Sequence, residues 1–481
     1  MSQSVIHILR EAGRTPPLPL TLATPSGELT VTNWLRVLPQ RRLVGVGKLA
    51  GQAVLVKLFI ANRARQHWQR EIDGLAALQA AQLQTPGVLA KGALAPEGFF
   101  ICTDYLEEAV TLQQMWSELG RLSNRLQPSP ENPEAITLLG RALSSIGLLH
   151  RAGLIQSDLH MGNFLLHGDQ VHVIDGDAVI ALSQGQPLSA KDAEKNLAVF
   201  FAQLDSCWDS LVELLLIDYL QVNAERALNP DRLMVQVREV RLKRLNDWLS
   251  KAVRDCTHFS VRRCWTRFAA VVREQALALG PILDHPNAPF AGAPTLKDGG
   301  SSSVTLVETA EGSLVVKRYN IKGILHWLTR FWRPSRAWHS WLAGHRLQFL
   351  GIATPAPLAM IESRFGPLRR RAWLVTEYCP GQNLLELFGA DGLHPPNDQQ
   401  GAALLAMTSQ LFEARISHGD FKATNLLWDA GQVWLIDLDS MQAHNSESAF
   451  QAAWAKDRAR LVRNWPTGSP LAIWLDARLP R

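Results

Sequence analysis

Cysteine is scarce in this chain, and the few residues present stand apart. Cys102, Cys207, Cys256, Cys264 and Cys379 form no Cys-x-x-Cys pair. That argues against a disulfide framework or a zinc site and favours a reducing compartment. Long apolar runs are missing too. The longest, near 211–220, is interrupted by Glu213 and Asp218 and is too short to span a bilayer. The N-terminal stretch, Met1 to Glu11, has no secretory core because charge interrupts it early. The expectation is a cytoplasmic protein that touches a membrane, if at all, peripherally. A large charge excess is also absent. A formal net charge of +5 over 481 residues is modest, and no nucleic-acid partner is expected from it.

What the chain does contain is a repeat. Ser157-Asp158-Leu-His160-Met-Gly-Asn163 leads to Val173-Ile-Asp175-Gly-Asp177, and His418-Gly-Asp420-Phe-Lys422-Ala-Thr-Asn425 leads to Leu435-Ile-Asp437-Leu-Asp439. In both copies the Asn lies five residues after the first Asp, and the next Asp seventeen after it; the copies are offset by 262. Phosphoryl transfer needs this set. One Asp positions the attacking hydroxyl and accepts its proton, while an Asn and a second Asp hold the metal ions that bridge nucleotide phosphates. A lone Asp or Asn in a turn usually just caps backbone, but two matching constellations make that reading improbable. An apolar fraction of 47% allows each copy its own core.

Each copy has a lysine on an upstream strand-like run, Lys57 in Ala53-Val-Leu-Val-Lys57 and Lys317 in Leu314-Val-Val-Lys317. A charge there wants a partner. Glu71, fourteen residues after Lys57 on a helical stretch over 61–82, suits a strand lysine paired with a helix glutamate over phosphates. Lys317 has no such partner, because 312–361 contains no acidic residue at all. That span holds seven Lys/Arg and the tryptophans Trp327, Trp332, Trp338 and Trp341. Trp and Arg interleaved at helical spacing suit an anionic, amphiphilic surface such as a phosphorylated glycolipid; a helix with core tryptophans and solvated arginines is an equal reading. Arg369, Arg370 and Arg371 would sit on an exposed hairpin nearby.

A Gly/Ser turn, Gly299-Gly300-Ser301-Ser302, precedes Lys317 and is suited to wrap phosphates with backbone N–H groups. The first copy shows Pro39-Gln-Arg-Arg42 with Gly45 and Gly47 instead. Asp158 and Asp420 are the expected bases. Asn163 with Asp175, and Asn425 with Asp437, are the expected Mg²⁺ ligands. Lys422 would neutralise the transferred phosphoryl group, with His160 in its place in the first copy. His418 is expected to brace its loop, where the first copy has Gln156. Asp177 and Asp439 are read as secondary metal contacts or, with more weight, as shaping the turn only.

The order is strands and one helix, then a helix-rich lobe that begins with the acidic loop. Helical pattern runs over 192–220, 230–249 and 259–279, and Pro281, Pro286, Pro289 and Pro294 break the periodicity after it. The expected domains are 1–280 (β-rich lobe about 20–106, helical lobe about 107–280), a linker over 281–295, and a shorter second domain over 296–481. Only 44 residues follow Asp437.

These residues resemble the lipopolysaccharide core kinases, the Kdo/heptose kinase family within the protein-kinase-like superfamily. In the second half the resemblance rests on the Gly/Ser turn, Val316-Lys317-Arg-Tyr, Gly351-Ile-Ala-Thr-Pro355, 418–425, 435–439 and Lys456-Asp-Arg-Ala-Arg-Leu461. In the first it rests on Val56-Lys57, Glu71, 157–163 and 173–177. It implies an α+β fold of two tandem protein-kinase-like domains, each with a small antiparallel β-rich N-lobe and a helical C-lobe. It implies ATP and Mg²⁺ as cofactors and a sugar hydroxyl of the lipopolysaccharide inner core as acceptor, at the cytoplasmic face of the inner membrane. The tandem is similar to fused kinase-like proteins of pseudomonad core-biosynthesis clusters. Two other readings compete: one half is a pseudokinase that binds glycolipid or docks core-assembly enzymes, or the chain is an aminoglycoside- or choline-type phosphotransferase. A protein kinase fits less well, since nothing like Ala-Pro-Glu follows Asp175 or Asp437.

Overall fold

The structure, a computed structural model, describes residues 4–95, 97–122, 127–183, 185–224, 227–292, 295–299, 302–310, 312–320 and 333–481. The chain divides into two compact units, Met1–Leu242 and Lys243–Arg481. Both combine an antiparallel sheet with helices.

In the first unit a six-stranded sheet runs in the order Leu20–Thr24, Gly27–Leu38, Arg42–Leu49, Gln52–Phe59, Gly98–Asp104, Val88–Leu94. On Gln52–Phe59 the period of two buries Val54, Val56 and Leu58 on one face and turns Lys57 to the other. Register sets Lys57 opposite Val44 and Ile101. Helix Ala64–Ala80 follows; it buries Leu75 and Leu78 and carries Glu71 at 1% exposure. It meets the acidic turn backbone to backbone. A Cβ on Gly74 would stand 2.0 Å from the Gly176 carbonyl oxygen, so only glycine permits the approach.

The rest of this unit is mainly helical. Helix Pro133–Arg151 starts where the Asn132 side chain accepts from the N–H groups of Glu134 and Ala135, with Pro133 in the first turn. Its Leu139, Leu143, Ile146 and Leu149 join Phe200, Trp208 and Tyr219 in one core. The hairpin Phe164–His167 with Gln170–Val173, and the pair Leu154–Gln156 with Val179–Ala181, clasp the first Asp/Asn loop.

The second unit begins earlier than the sequence pattern suggests. Helix was expected over 259–279 and a domain boundary at 280. Instead Phe259–Arg263 and Arg267–Val272 form a hairpin, and the latter pairs with Pro357–Phe365. The physical reason is double-sided burial. Phe268 and Ala270 pack with Tyr319 and Trp341 on one face, Ala269 and Val271 with Leu279, Ile282 and Leu283 on the other. A strand covered on both faces loses the alternation that marks a half-buried one. The expected linker carries the short helices Gly280–Asp284 and Pro289–Gly292. The full sheet has seven strands, ordered Phe259–Arg263, Arg267–Val272, Pro357–Phe365, Leu368–Glu377, Gly312–Tyr319, Ser302–Thr309, Thr295–Asp298.

Lys317 sits opposite Val304 and Leu374 in that sheet. Helix Arg336–Phe349, capped by the Ser335 side chain, packs on it. A helical lobe follows, with Asp398–Glu413 (started by an Asn397/Gln400 capping box), Glu447–Val462 and Pro470–Arg478 around Leu411, Phe421, Trp454 and Leu461.

For two of the four tryptophans the core reading is the right one. Trp341 is fully buried and its Nε1 donates to the Ala252 carbonyl at 2.9 Å. Trp338 packs 5.1 Å from Phe268, under the Arg369 guanidinium. Trp327 and Trp332 lie outside the described residues. Arg370 and Arg371 are exposed, while Arg369 turns toward Glu362. Among the described residues no helix is long and apolar enough to cross a membrane.

Candidate active sites

In the first unit the expected lysine–glutamate pair is present. Lys57 Nζ donates to Glu71 Oε1 at 2.5 Å and to Asp175 Oδ1 at 3.4 Å. Glu71 also accepts from the N–H groups of Gly176 and Asp177, at 3.3 and 3.1 Å, which ties the helix to the acidic turn. Burial pulls the Lys57 pKa down, but Glu71 and Asp175 outweigh it and hold it above its ordinary value. Asp175 stands at φ 69°, in the left-handed region, and the cations beside it outweigh burial and keep its carboxyl low. Asp177 receives Arg70 Nε at 2.8 Å and lies 3.2 Å from His67.

One contact here was not foreseen. The Pro39–Arg42 segment, which stands where a glycine turn was sought, sends Arg42 Nη1 to 3.4 Å from Asp175 Oδ1 and 4.0 Å from Glu71. A guanidinium thus occupies the carboxylate expected to ligate a metal. Asp158, by contrast, is loosely held: its side chain is 72% exposed, with the His160 ring 3.7 Å away. Asn163 Nδ2 donates to the Asp158 carbonyl at 2.8 Å.

The second unit solves the missing-glutamate problem from within its acidic turn. Lys317 Nζ donates to Asp437 Oδ1 at 2.5 Å and to Asp439 Oδ2 at 3.0 Å. The Asp439 Oδ1 in turn accepts from the hydroxyls of Tyr319 at 2.7 Å and Ser340 at 2.8 Å, with Arg336 3.6 Å away. Burial and the Asp439 charge push the Tyr319 phenol well above its ordinary pKa. Asp439 is therefore more than a turn-shaper. Asp437 repeats the left-handed backbone at φ 61°, and the Lys317 ammonium outweighs burial to keep its carboxyl low.

Around Asp420 the geometry is tight. The buried Asp457 accepts from the His418 N–H at 2.6 Å and from the Gly419 N–H at 3.1 Å. His418 Nε2 donates to the Ile436 carbonyl at 3.0 Å, the brace expected of it; Gln156 makes the matching bond to Ile174 at 2.7 Å. Burial lowers the His418 pKa, in keeping with a neutral ring. Asp420 itself meets Lys422 Nζ at 2.9 Å and Arg460 Nη1 at 3.3 Å. Asp457 and Arg460 were missed as site residues. The sequence shows only that an Asp and an Arg three apart share one helix face; which loop that face meets is set by packing.

The donor sets suit a hard divalent cation. Asn425 Nδ2 donates to the Asp420 carbonyl at 2.9 Å. The atom facing a carbonyl must be the amide nitrogen, so the Asn425 oxygen is left for a cation beside Asp437. Asn163 has the same orientation; each aspartate carries its strand lysine, and Asp175 carries Arg42 as well. Of the Gly/Ser turn, the Gly299 N–H donates to the Ser302 carbonyl at 3.1 Å and Ser302 is buried at the head of its strand. Gly300 and Ser301 lie outside the described residues.

The match to a family model falls within the second unit. Residues 296–465 match the family model described as "Lipopolysaccharide kinase (Kdo/WaaP) family". A 3-deoxy-D-manno-octulosonic acid kinase of Xylella fastidiosa strain 9a5c is 30% identical over 154 residues, 31% of this chain and 60% of the relative. The same kinase of strain M12 is 30% identical over 151 residues, 30% of this chain and 59% of the relative. The chain thus spans about 60% of the length of the curated relatives it matches. A solved structure of WaaP in complex with acyl carrier protein is 21% identical and aligns over 44% of this chain and 88% of its own, with a TM-score of 0.33. The resemblance to the lipopolysaccharide core kinases read from the motifs of the second half is borne out over the matched residues.

Proposed function

We propose that the second unit is an ATP- and Mg²⁺-dependent kinase that phosphorylates a sugar hydroxyl of the lipopolysaccharide inner core, on Kdo or heptose. The observation that carries this reading is the Asp420 cluster: a carboxylate fixed through Asp457-anchored backbone, with Lys422 and Arg460 on either side. The acceptor hydroxyl donates to Asp420 while its oxygen attacks the γ-phosphorus. The bond from that phosphorus to the β,γ-bridging oxygen breaks, ADP leaves, and the hydroxyl proton passes to Asp420. Lys422 and Arg460 stand where charge spreads over the transferred group, and fixed cations there lower the barrier without reorganising. Lys317 would hold nucleotide phosphates, and the Asn425 oxygen with Asp437 would hold Mg²⁺, which would supply positive charge against the phosphates. The reading includes work at the cytoplasmic face of the inner membrane on a glycolipid acceptor.

The test is mass spectrometry of core oligosaccharide from cells carrying Asp420→Asn, Asp158→Asn or a gene deletion. Loss of one core phosphate in the deletion and in Asp420→Asn is expected. If the deletion keeps every core phosphate, the lipopolysaccharide acceptor is wrong.

A second reading concerns the first unit alone: a pseudokinase. Arg42 against Asp175 and the unanchored Asp158 favour it, set against the intact Lys57–Glu71 pair.

A further inference from the structure

A cavity of about 880 Å³ opens in the first unit beside Asp177, bounded by the N-terminal helix Val5–Glu11, the turn after Leu38 and the start of helix Ala64–Ala80. Four arginines line it, Arg10, Arg41, Arg42 and Arg63, against two carboxylates, Glu11 and Asp177. Both carboxylates are already engaged: Glu11 by His7 at 3.2 Å, Asp177 by Arg70 at 2.8 Å. Arg10 Nε donates to the Ile60 carbonyl at 2.6 Å, which aims the guanidinium, and its nearest carboxylate is Glu97 at 3.9 Å. Arg41 and Arg63 have no ion pair or side-chain hydrogen bond among the described residues. Arg42 is held by Asp175 and Glu71, so Arg41 and Arg63 are the unpaired charges that converge with Arg10 on one concavity, an arrangement an anion would stabilise.

The lining also says what kind of anion. Phe59, the one phenyl, indole or phenol ring in the wall, is 1% exposed and offers no face on which a nucleobase would stack. The wall also holds the imidazoles His7 and His67, but its guanidinium groups outnumber its two carboxylates, so recognition runs chiefly through charge. Guanidinium forks grip phosphate and carboxylate oxygens in pairs, and a volume of this order takes a body of one or two sugar rings.

We propose that this cavity is a binding site for a small polyanion, a sugar-sized polar body carrying at least two phosphate or carboxylate groups. Arg41 and Arg63 are its free grips and Arg10 is its floor. The site goes beyond the proposed kinase reaction, because it lies wholly within the first unit and needs no turnover by the second. The ligand is either a soluble phosphorylated sugar or the phosphorylated headgroup of a lipid.

The experiment is titration calorimetry on the full-length chain with fructose 1,6-bisphosphate and with inorganic phosphate, and flotation with phosphatidylglycerol vesicles. It is repeated on the Arg41→Ser/Arg63→Ser double variant. Both side chains are exposed, so folding should persist, and a melting curve checks this. The bisphosphate is expected to bind the wild type about tenfold tighter than phosphate, and the double variant about tenfold weaker than the wild type, one lost charge-assisted contact set. Loss confined to vesicle binding supports the site with a lipid headgroup as its source. Equal binding by both proteins to every probe overturns it. Phosphoryl transfer measured on the same samples fails or survives independently, so the kinase reading is judged separately.

Discussion

Lys317 and Asp439 stand 3.0 Å apart, and this contact replaces the helix glutamate that the second unit lacks. In the first unit the lysine's extra carboxylate, Glu71, comes from the helix; in the second it comes from the acidic turn itself, two residues beyond Asp437. The helix contributes hydroxyl and guanidinium instead, Ser340 and Arg336 orienting Asp439. Asp439→Asn keeps the shape and removes the charge. It is expected to weaken ATP binding about tenfold, the scale of one charge-assisted contact. Fluorescence titration with a labelled nucleotide checks this, and unchanged affinity would make Asp439 purely structural.

Asp420 and Asp158 occupy equivalent positions in very different surroundings. A positioned base is worth about 10²–10⁴ in rate, so Asp420→Asn should lower phosphoryl transfer by that order. Asp158→Asn should change it less than about twofold, since a residue without a fixed geometry contributes little. Radiolabel transfer from γ-labelled ATP reads both. A large loss in Asp158→Asn would move the chemistry to the first unit.

Arg42 stands 3.4 Å from Asp175, a carboxylate expected to hold a cation. Removing it as Arg42→Ala should expose the Asn163/Asp175 donor set, and Mn²⁺ bound per chain in the presence of nucleotide should rise. Electron paramagnetic resonance counts free Mn²⁺ directly. No change in stoichiometry would show that Arg42 does not guard the site.

Gly74 allows helix Ala64–Ala80 to touch the Gly176 backbone. Gly74→Ala forces that contact apart and should cost about 1–3 kcal/mol through overpacking. The Lys57–Glu71–Asp175 set would loosen with it. Thermal melting of the variant tests the cost.

His345 is buried against Trp341, ring centroids 4.2 Å apart, and burial pulls its pKa to about 4. The unfolded chain takes up this proton near the ordinary histidine value of about 6.5, the folded chain only near 4. Between those values the unfolded state holds more protons, so stability falls as pH drops from about 6.5 to about 4 and levels off below. The loss is of order 3 kcal/mol at most. Denaturant melts across this window, for wild type and His345→Leu, should show the slope reduced in the variant.

How far a sequence can be read here depends on how far apart the partners lie. The two Asp/Asn/Asp loops, the strand lysines and the Lys57–Glu71 pair were legible because each is set by short-range backbone geometry or by a fixed strand-to-helix step. Gln156 and His418 brace their loops alike for the same reason. Tertiary structure decided the rest. Arg42 reaches Asp175 across 133 residues, and Asp457 holds the His418 N–H across 39. Contacts of that span depend on how separate elements pack, which no local pattern encodes. The strand Arg267–Val272 was misread as helix because a neighbour on each face erases the alternation that would have marked it. Sequence alone therefore determined which residue types the two sites contain. Packing determined which carboxylates face a lysine, which face an arginine, and which one is held in place from both sides.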